Sequence, residues 1–156
     1  DGGGLVAALE KIVDPLLPAG DIATATYQDG TTKVLVHSDA NELNLPMMVL
    51  VNGNTASAAE LFTASLKDFG KAEVIGEQTF GKGIMQNTFE LPDGGAVTLT
   101  VATYQTTKGE CYHGVGIAPD VIMEEDYEKV DFDHPNPEQD AQLKQAMELL
   151  QSKISS

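Results

Sequence analysis

The stretch MMVLVNGNTASAAELF, residues 47–62, decides the fold. Its first five residues, MMVLV, form a continuous apolar run, which predicts a buried strand of the kind found in sheets covered on both faces. The next three residues, NGN, are typical of a turn. Small and apolar residues follow and predict a helix that begins near Ser57. A strand, a tight turn and a helix in this order indicate an α/β protein.

Other segments of the chain carry helix and strand patterns of their own. Apolar residues recur at helical spacing over residues 5–17, and prolines close that helix. Residues 22–36 alternate around Asp29-Gly30, which predicts a β-hairpin. Residues 72–76, 87–105 and 116–123 predict further strands, and residues 137–153 predict an amphipathic C-terminal helix. Strands that alternate with helices and hairpins predict a mixed α/β domain.

Charge and composition exclude several classes of partner. The 156 residues carry a formal net charge of −15, so nucleic acid and anionic membrane surfaces would repel the chain. No run of 18 apolar residues exists, so no transmembrane helix is predicted. Acidic residues concentrate between Asp120 and Asp140, which we interpret as a solvated surface rather than a metal site at Asp131, Asp133 and His134. Cys111, the only cysteine, is predicted to be an ordinary thiol.

Ser57 is a candidate nucleophile because of its place at the start of a helix. Free main-chain N–H groups and the positive end of the helix dipole favour negative charge there, as an oxyanion requires. The pattern Ser57-Ala58-Ala59-Glu60 also matches a capping box, in which the serine hydroxyl only caps the helix. The two roles do not exclude each other, and this segment by itself leaves both open.

Lys82 is the candidate base for that serine. It lies in GEQTFGKG, residues 76–83, which resembles a phosphate-binding loop, but Gly83 stands where Mg²⁺ needs a serine or threonine and a strand pattern follows. We therefore reject nucleotide binding. A lysine base must lose roughly 3 pKa units from its ordinary value of about 10.4, and burial among apolar groups can do this. Phe80 and Ile84 favour Lys82 over the other lysines, although an ordinary turn lysine remains the alternative.

Four segments together resemble the C-terminal processing peptidases: VLVNGNTASAAELF, TFGKGIMQ, LPDGGAVTLTVATYQTTKGE and GVGIAPDV. These are serine endopeptidases with a Ser–Lys dyad, on a mixed-sheet α/β fold that is related to Clp protease and crotonase. The resemblance implies that Ser57 is the nucleophile, that Lys82 is its base and that Gln86 orients the lysine. It also implies an oxyanion hole made by the N–H groups of Ala58 and Gly3. The glycines beside Lys82 would let the lysine loop approach the serine closely.

The resemblance carries further expectations about the whole protein. It implies polypeptide substrates cut near nonpolar C-termini, no cofactor, no metal and a location outside the bacterial cytoplasm, with an anchor in missing N-terminal sequence as one option. Residues 1–156 would be the C-terminal part of the catalytic domain, with residues 137–154 as a C-terminal helix. A PDZ domain is expected in the full-length chain, and a homo-oligomer is left open. Thr55 and Ala59 depart from the family's serine block, and the arginine motif before Gly3-Gly4 is absent.

Two other functions fit the same scaffold. The interphotoreceptor retinoid-binding proteins are related in fold and carry apolar ligands, so a non-catalytic module that binds a peptide or an apolar ligand is the main alternative. An acyl-transfer enzyme of the crotonase type would bind coenzyme A, but the sequence has no basic cluster for its phosphates. The intact set of Ser57, Lys82 and Gln86 favours the peptidase over both.

Overall fold

A computed structural model describes residues 1–39 and 41–155 of the chain. The described residues form three α-helices and seven β-strands. In chain order these are α1 (Val6–Val13), β1 (Gly20–Tyr27), β2 (Thr32–Ser38), β3 (Met47–Val51), α2 (Ala58–Asp68), β4 (Ala72–Gly76), β5 (Ile84–Glu90), β6 (Ala96–Thr106), β7 (Val121–Ile122) and α3 (Ala141–Ile154). None of the three helices has the length and hydrophobicity that crossing a bilayer requires.

The strands form two sheets of different type. An antiparallel sheet has the order β2-β1-β6-β5, and a parallel sheet has the order β3-β4-β7. The predicted hairpin at Asp29-Gly30 joins β1 to β2, where the Asp29 carboxylate accepts hydrogen bonds from the main chain and hydroxyl of Thr31. A second hairpin, closed by main-chain hydrogen bonds between Leu91 and residues 94 and 95, joins β5 to β6.

The core lies between the antiparallel sheet and helices α1 and α2. Helix α2 contacts α1, β4 and β6, and its Leu61 and Leu66 are buried almost completely. Ile22 from β1 and Val13 from α1 are also fully buried in the same cluster. Burial of each such side chain contributes about 1.5–3 kcal/mol relative to exposure. This packing fixes α2, so the turn at its start is held on a rigid element.

Two predicted elements differ in detail from the observed ones. Strand β3 was expected to be buried on both faces, but only Val51 is buried and Leu50 is exposed, because β3 is an edge strand of its sheet. The C-terminal helix begins at Ala141 rather than Pro137, because the Asp140 carboxylate accepts a hydrogen bond from the Leu143 N–H and caps the helix there.

Candidate active site

Ser57 occupies a strained turn between β3 and α2. Its φ is 59° and its ψ is −123°, and no other non-glycine residue in the described part of the chain has a positive φ. Such a conformation costs of order 1–3 kcal/mol and persists only where the surrounding structure enforces it, most often at functional sites. A strained turn from strand to helix also presents the serine nucleophile of other hydrolase folds. The local backbone therefore favours Ser57 as a reactive group.

The two predicted oxyanion donors lie side by side. Ala58 is the first residue of α2, and its N–H has no acceptor among the residues that the structure describes. Gly3 lies against it: a Cβ at Gly3 would be 2.7 Å from the Ala58 nitrogen and 2.8 Å from the Ser57 Cβ. The N–H of Gly3 donates to the Asp1 carboxylate at 2.9 Å. A main-chain donor without an acceptor among the described residues thus lies beside Ser57, with the main chain of Gly3 packed against it.

Glu60 joins the serine turn to the lysine loop. Its carboxylate is fully buried, and its Oε2 accepts hydrogen bonds from the N–H of Ser57 at 2.9 Å and from the N–H of Lys82 at 2.7 Å. Its Oε1 accepts from the Thr79 hydroxyl and the Gly81 N–H, both at 2.6 Å. Hydrogen bonds to a charged acceptor are about twice as strong as neutral ones. One oxygen atom therefore holds the main chains of Ser57 and Lys82 within two hydrogen-bond lengths of each other.

The capping-box pattern identified Glu60 only as a partner of the helix start. Its carboxylate does reach back to the Ser57 N–H, as that pattern predicts. Its bonds to the lysine loop span 19 to 22 residues, a separation that no local motif encodes. This second role of Glu60 was missed in the sequence.

Tyr104, from β6, was also missed. Its side chain is buried, and its hydroxyl lies 2.8 Å from the Lys82 carbonyl oxygen and 3.4 Å from the Ser57 Oγ. Burial raises the pKa of Tyr104 above its ordinary value, so the phenol stays protonated at neutral pH. Its ring packs edge-on against Tyr112 with a centroid separation of 6.1 Å. The only sequence signal was an aromatic residue in a segment of the family motif.

The side chains of the predicted dyad do not form a hydrogen bond with each other in this structure. No hydrogen bond among the described residues joins the Lys82 ammonium to the Ser57 hydroxyl or to the Gln86 amide. Lys82 and Ser57 are half-buried, whereas Gln86 is exposed on β5. The structure thus brings the main chains of Ser57 and Lys82 together, and the contacts of the lysine side chain stay a prediction.

The glycines beside Lys82 serve a different purpose from the one expected. A Cβ at Gly81 would lie 2.9 Å from the Gly116 nitrogen, and a Cβ at Gly83 would lie 3.1 Å from the His113 nitrogen. They allow the lysine loop to pack closely against residues 113–116. A comparably close approach to the serine turn is made by Gly3.

An apolar groove begins at the oxyanion donors. It has a volume of about 320 Å³ and runs between α1 and the first turns of α2. Gly3 and Ala58 line it together with Asp1 and the apolar side chains of Leu5, Ile12 and Phe62. A group bound in this groove would lie directly beside the Ser57 turn. The described residues contain no cluster of three or more metal-ligating side chains, here or elsewhere.

Comparison with known proteins identifies a peptidase family. The sequence profile described as "Peptidase family S41" matches residues 1–123. The chain is 36% identical over 148 residues to a carboxyl-terminal-processing protease of Synechocystis sp., covering 95% of this chain and 34% of that protein. It is 38% identical over 132 residues to the carboxy-terminal processing protease CtpA of Bacillus subtilis, covering 83% of this chain and 28% of that protein.

Solved structures agree with the sequence comparison. The photosystem II D1 C-terminal processing protease superposes with a TM-score of 0.72 at 38% identity, covering 79% of this chain and 32% of that one. A lipoprotein from Streptococcus agalactiae superposes with a TM-score of 0.66 at 25% identity, covering 79% of this chain and 47% of that one. The chain spans between about a quarter and a third of the length of the first curated relatives it matches.

Proposed function

Because the chain belongs to peptidase family S41, we propose that it carries the catalytic serine and lysine of an endopeptidase that cleaves proteins near nonpolar C-termini. The family resemblance inferred from the sequence motifs and the α/β fold class are both confirmed. The observation that carries the proposal is the Glu60 carboxylate, whose Oε2 binds the N–H of Ser57 and the N–H of Lys82. A helix cap alone would not require the second of these bonds.

In the proposed reaction, the Ser57 Oγ attacks the carbonyl carbon of the scissile peptide bond while neutral Lys82 accepts the hydroxyl proton. The oxyanion of the tetrahedral intermediate binds the N–H groups of Ala58 and Gly3, and replaces the Asp1 carboxylate at Gly3. Lys82 then donates its proton to the leaving amine, and an ester to Ser57 remains. Water attacks the ester with Lys82 again as base, which frees the carboxylate product and restores Ser57.

The position of Lys82 in this scheme depends on its side chain alone. Its N–H is fixed by Glu60 and its carbonyl by Tyr104, so rotation about the side-chain bonds is what brings the amine nitrogen toward Ser57. Gln86 lies four residues further along the chain, on the exposed face of β5. We propose that its amide holds Lys82 in the reactive orientation, a role that rests on the family resemblance.

The groove supports the nonpolar part of the proposal. The residue whose carbonyl is attacked has its Cα one bond from the oxyanion carbon, so its side chain must lie close to Ala58 and Gly3. The groove that begins at those two residues is lined by Leu5, Ile12 and Phe62 and is therefore suited to an apolar side chain. The relatives are named as carboxyl-terminal-processing proteases, which supports cleavage near a C-terminus.

The remaining expectations concern the complete protein. We propose an extracytoplasmic location in a bacterium, supported by the bacterial relatives and by the similar structure titled as a lipoprotein. The length of the relatives beyond the matched region is consistent with a PDZ domain that delivers substrate C-termini. Homo-oligomer formation and the assignment of residues 1–156 to the C-terminal part of the catalytic domain are proposed on the family resemblance alone.

The proposal is tested by cleavage of an unfolded protein that ends in apolar residues, with the full-length enzyme. Ser57→Ala and Lys82→Ala should each abolish cleavage, and Lys33→Ala, on the exposed face of β2, should leave it unchanged. Circular dichroism checks that each variant keeps its fold. If the wild type binds the substrate but does not cut it, the peptidase proposal is overturned and the non-catalytic binding module takes its place.

A further inference from the structure

We propose that the hydroxyl of Tyr104 is a positioning group for the Ser57–Lys82 pair, which holds the Lys82 main chain in place and confines the Ser57 side chain. This inference rests on the proposed peptidase function. Its basis is the position of the Tyr104 hydroxyl, which contacts both the Ser57 Oγ and the Lys82 carbonyl oxygen. No other side-chain atom in the described part of the chain makes a hydrogen-bonding contact with both of these oxygens.

The single proton of the phenol shows which of the two contacts is the stronger hydrogen bond. The phenol has one O–H proton, and burial raises the pKa of Tyr104, so the group keeps that proton. The carbonyl of Lys82 can only accept a hydrogen bond, and it lies at the shorter distance of 2.8 Å. The Tyr104 proton therefore points to Lys82. The same O–H also faces the Ser57 Oγ, a second and weaker acceptor at 3.4 Å, which is longer than an ordinary O–H···O hydrogen bond.

The two contacts have different consequences for the reaction. The Lys82 N–H is bound by the Glu60 carboxylate, and its carbonyl by Tyr104, so the main chain of the base is fixed at both polar atoms. The contact to Ser57 places the phenol oxygen beside the Ser57 Oγ and limits the positions open to the serine side chain. Removal of the phenol oxygen would free the Lys82 carbonyl and leave the serine rotamer unrestrained. A misplacement of about 1 Å at a reacting group can reduce the rate by roughly 100-fold.

Tyr112 provides a matched control for Tyr104. Its ring packs edge-on against the ring of Tyr104 at an interplanar angle of 74°, and its side chain is equally buried. Its hydroxyl contacts neither Ser57 nor Lys82 and makes no hydrogen bond of ordinary geometry to the described residues, although it lies close enough to the Tyr104 hydroxyl to influence the pKa of that group. Replacement of either tyrosine by phenylalanine keeps the ring packing, but only the change at Tyr104 removes an oxygen that contacts the dyad. A loss of activity in Tyr104→Phe that Tyr112→Phe does not share therefore reports the contacts of the Tyr104 hydroxyl with Ser57 and Lys82, and not the packing of the rings.

The experiment compares the wild type with Tyr104→Phe and Tyr112→Phe in the full-length protein. The readouts are kcat and KM for a peptide with an apolar C-terminus, and the rate at which an organophosphorus probe labels Ser57, followed by mass spectrometry. We expect Tyr104→Phe to lower kcat about 10- to 100-fold with KM changed less than about twofold, because the groove and the oxyanion donors are unaffected. Tyr112→Phe should leave kcat, KM and labelling at wild-type values.

A fluorinated tyrosine at position 104 gives a second test that does not depend on the folding of the phenylalanine variant. It keeps the ring and the hydroxyl but ionises at lower pH, and a phenolate has no proton for the Lys82 carbonyl. We expect its kcat to fall at a pH where the wild-type value is still constant. An unchanged pH profile overturns the positioning role.

The outcomes separate this inference from the proposed function. If the wild type cleaves and Tyr104→Phe retains its kcat, or if Tyr112→Phe loses as much activity, the role of the Tyr104 hydroxyl is overturned and the peptidase proposal stands. If the wild type neither cleaves the peptide nor reacts with the probe at Ser57, both proposals are overturned.

Discussion

Replacement of Glu60 by glutamine should weaken the link between the Ser57 turn and the lysine loop. The change keeps the size of the side chain but turns one oxygen, which only accepts hydrogen bonds, into an NH₂ group, which only donates. Each carboxylate oxygen of Glu60 accepts from one or two main-chain N–H groups. In either orientation of the amide, the NH₂ group therefore faces at least one buried N–H donor.

The magnitude follows from the four hydrogen bonds. With the NH₂ group at the Oε1 position, the Thr79 hydroxyl can rotate to accept, but the bond from the Gly81 N–H is lost. A hydrogen bond to a charged group contributes about 1.5–3 kcal/mol, and a buried donor left unsatisfied costs about 1–3 kcal/mol. The remaining bonds, to Ser57 and Lys82, lose the strengthening that the negative charge provides. We expect the lysine loop to be destabilised by about 3 kcal/mol.

Hydrogen exchange of the full-length protein, read by mass spectrometry, measures this loss where it occurs. A change of about 3 kcal/mol should speed amide exchange of the segment 79–83 by roughly 100-fold, since 1.4 kcal/mol is a factor of ten. Cleavage should fall at least about tenfold in the same variant. Glu148→Gln, on the exposed surface of α3, makes the same charge change and should alter neither readout. Unchanged exchange of residues 79–83 in Glu60→Gln would refute the argument that this carboxylate holds the loop.

Two further changes test the serine turn and the acid stability of the fold. Gly3→Ala forces a Cβ to within 2.7 Å of the Ala58 nitrogen at a φ of +88°, so cleavage should fall at least about tenfold. Gly2→Ala is the control, because no atom lies within 4 Å of its Cβ, and it should keep wild-type activity in the same assay. Burial by itself would raise the pKa of Asp120, but the hydrogen bonds from Lys67 and from the Val74 N–H, together with the Lys67 charge, outweigh it and lower the pKa below its ordinary value of 3.8. The stability that Asp120 contributes is present above pH 3.8 and is lost as the pH falls below that value. Urea unfolding should therefore show a smaller loss of stability between pH 5 and pH 3 in Asp120→Asn than in the wild type. An unchanged loss would contradict this assignment.

Local patterns in the sequence were enough to place most elements. The hairpin at Asp29-Gly30, the strand β3 and the helix that starts next to Ser57 all lie where turn chemistry and apolar spacing predict them. These signals work because each depends on hydrogen bonds and side-chain periodicity within about ten residues. The prediction differed from the structure where a capping residue decides a helix start, as at Asp140, and where a strand lies at the edge of its sheet, as at Leu50.

The sequence by itself determined the family, the class of fold and the candidate residues Ser57 and Lys82, because these follow from residue types and from short spacings between residues. Only the tertiary structure decided what connects them. The Glu60 carboxylate crosses to a loop 22 residues away, and the Tyr104 hydroxyl comes from a strand 47 residues beyond Ser57. Such contacts are set by how β6 and the lysine loop pack around the first turn of α2, and packing of elements distant in sequence leaves no periodic signal along the chain.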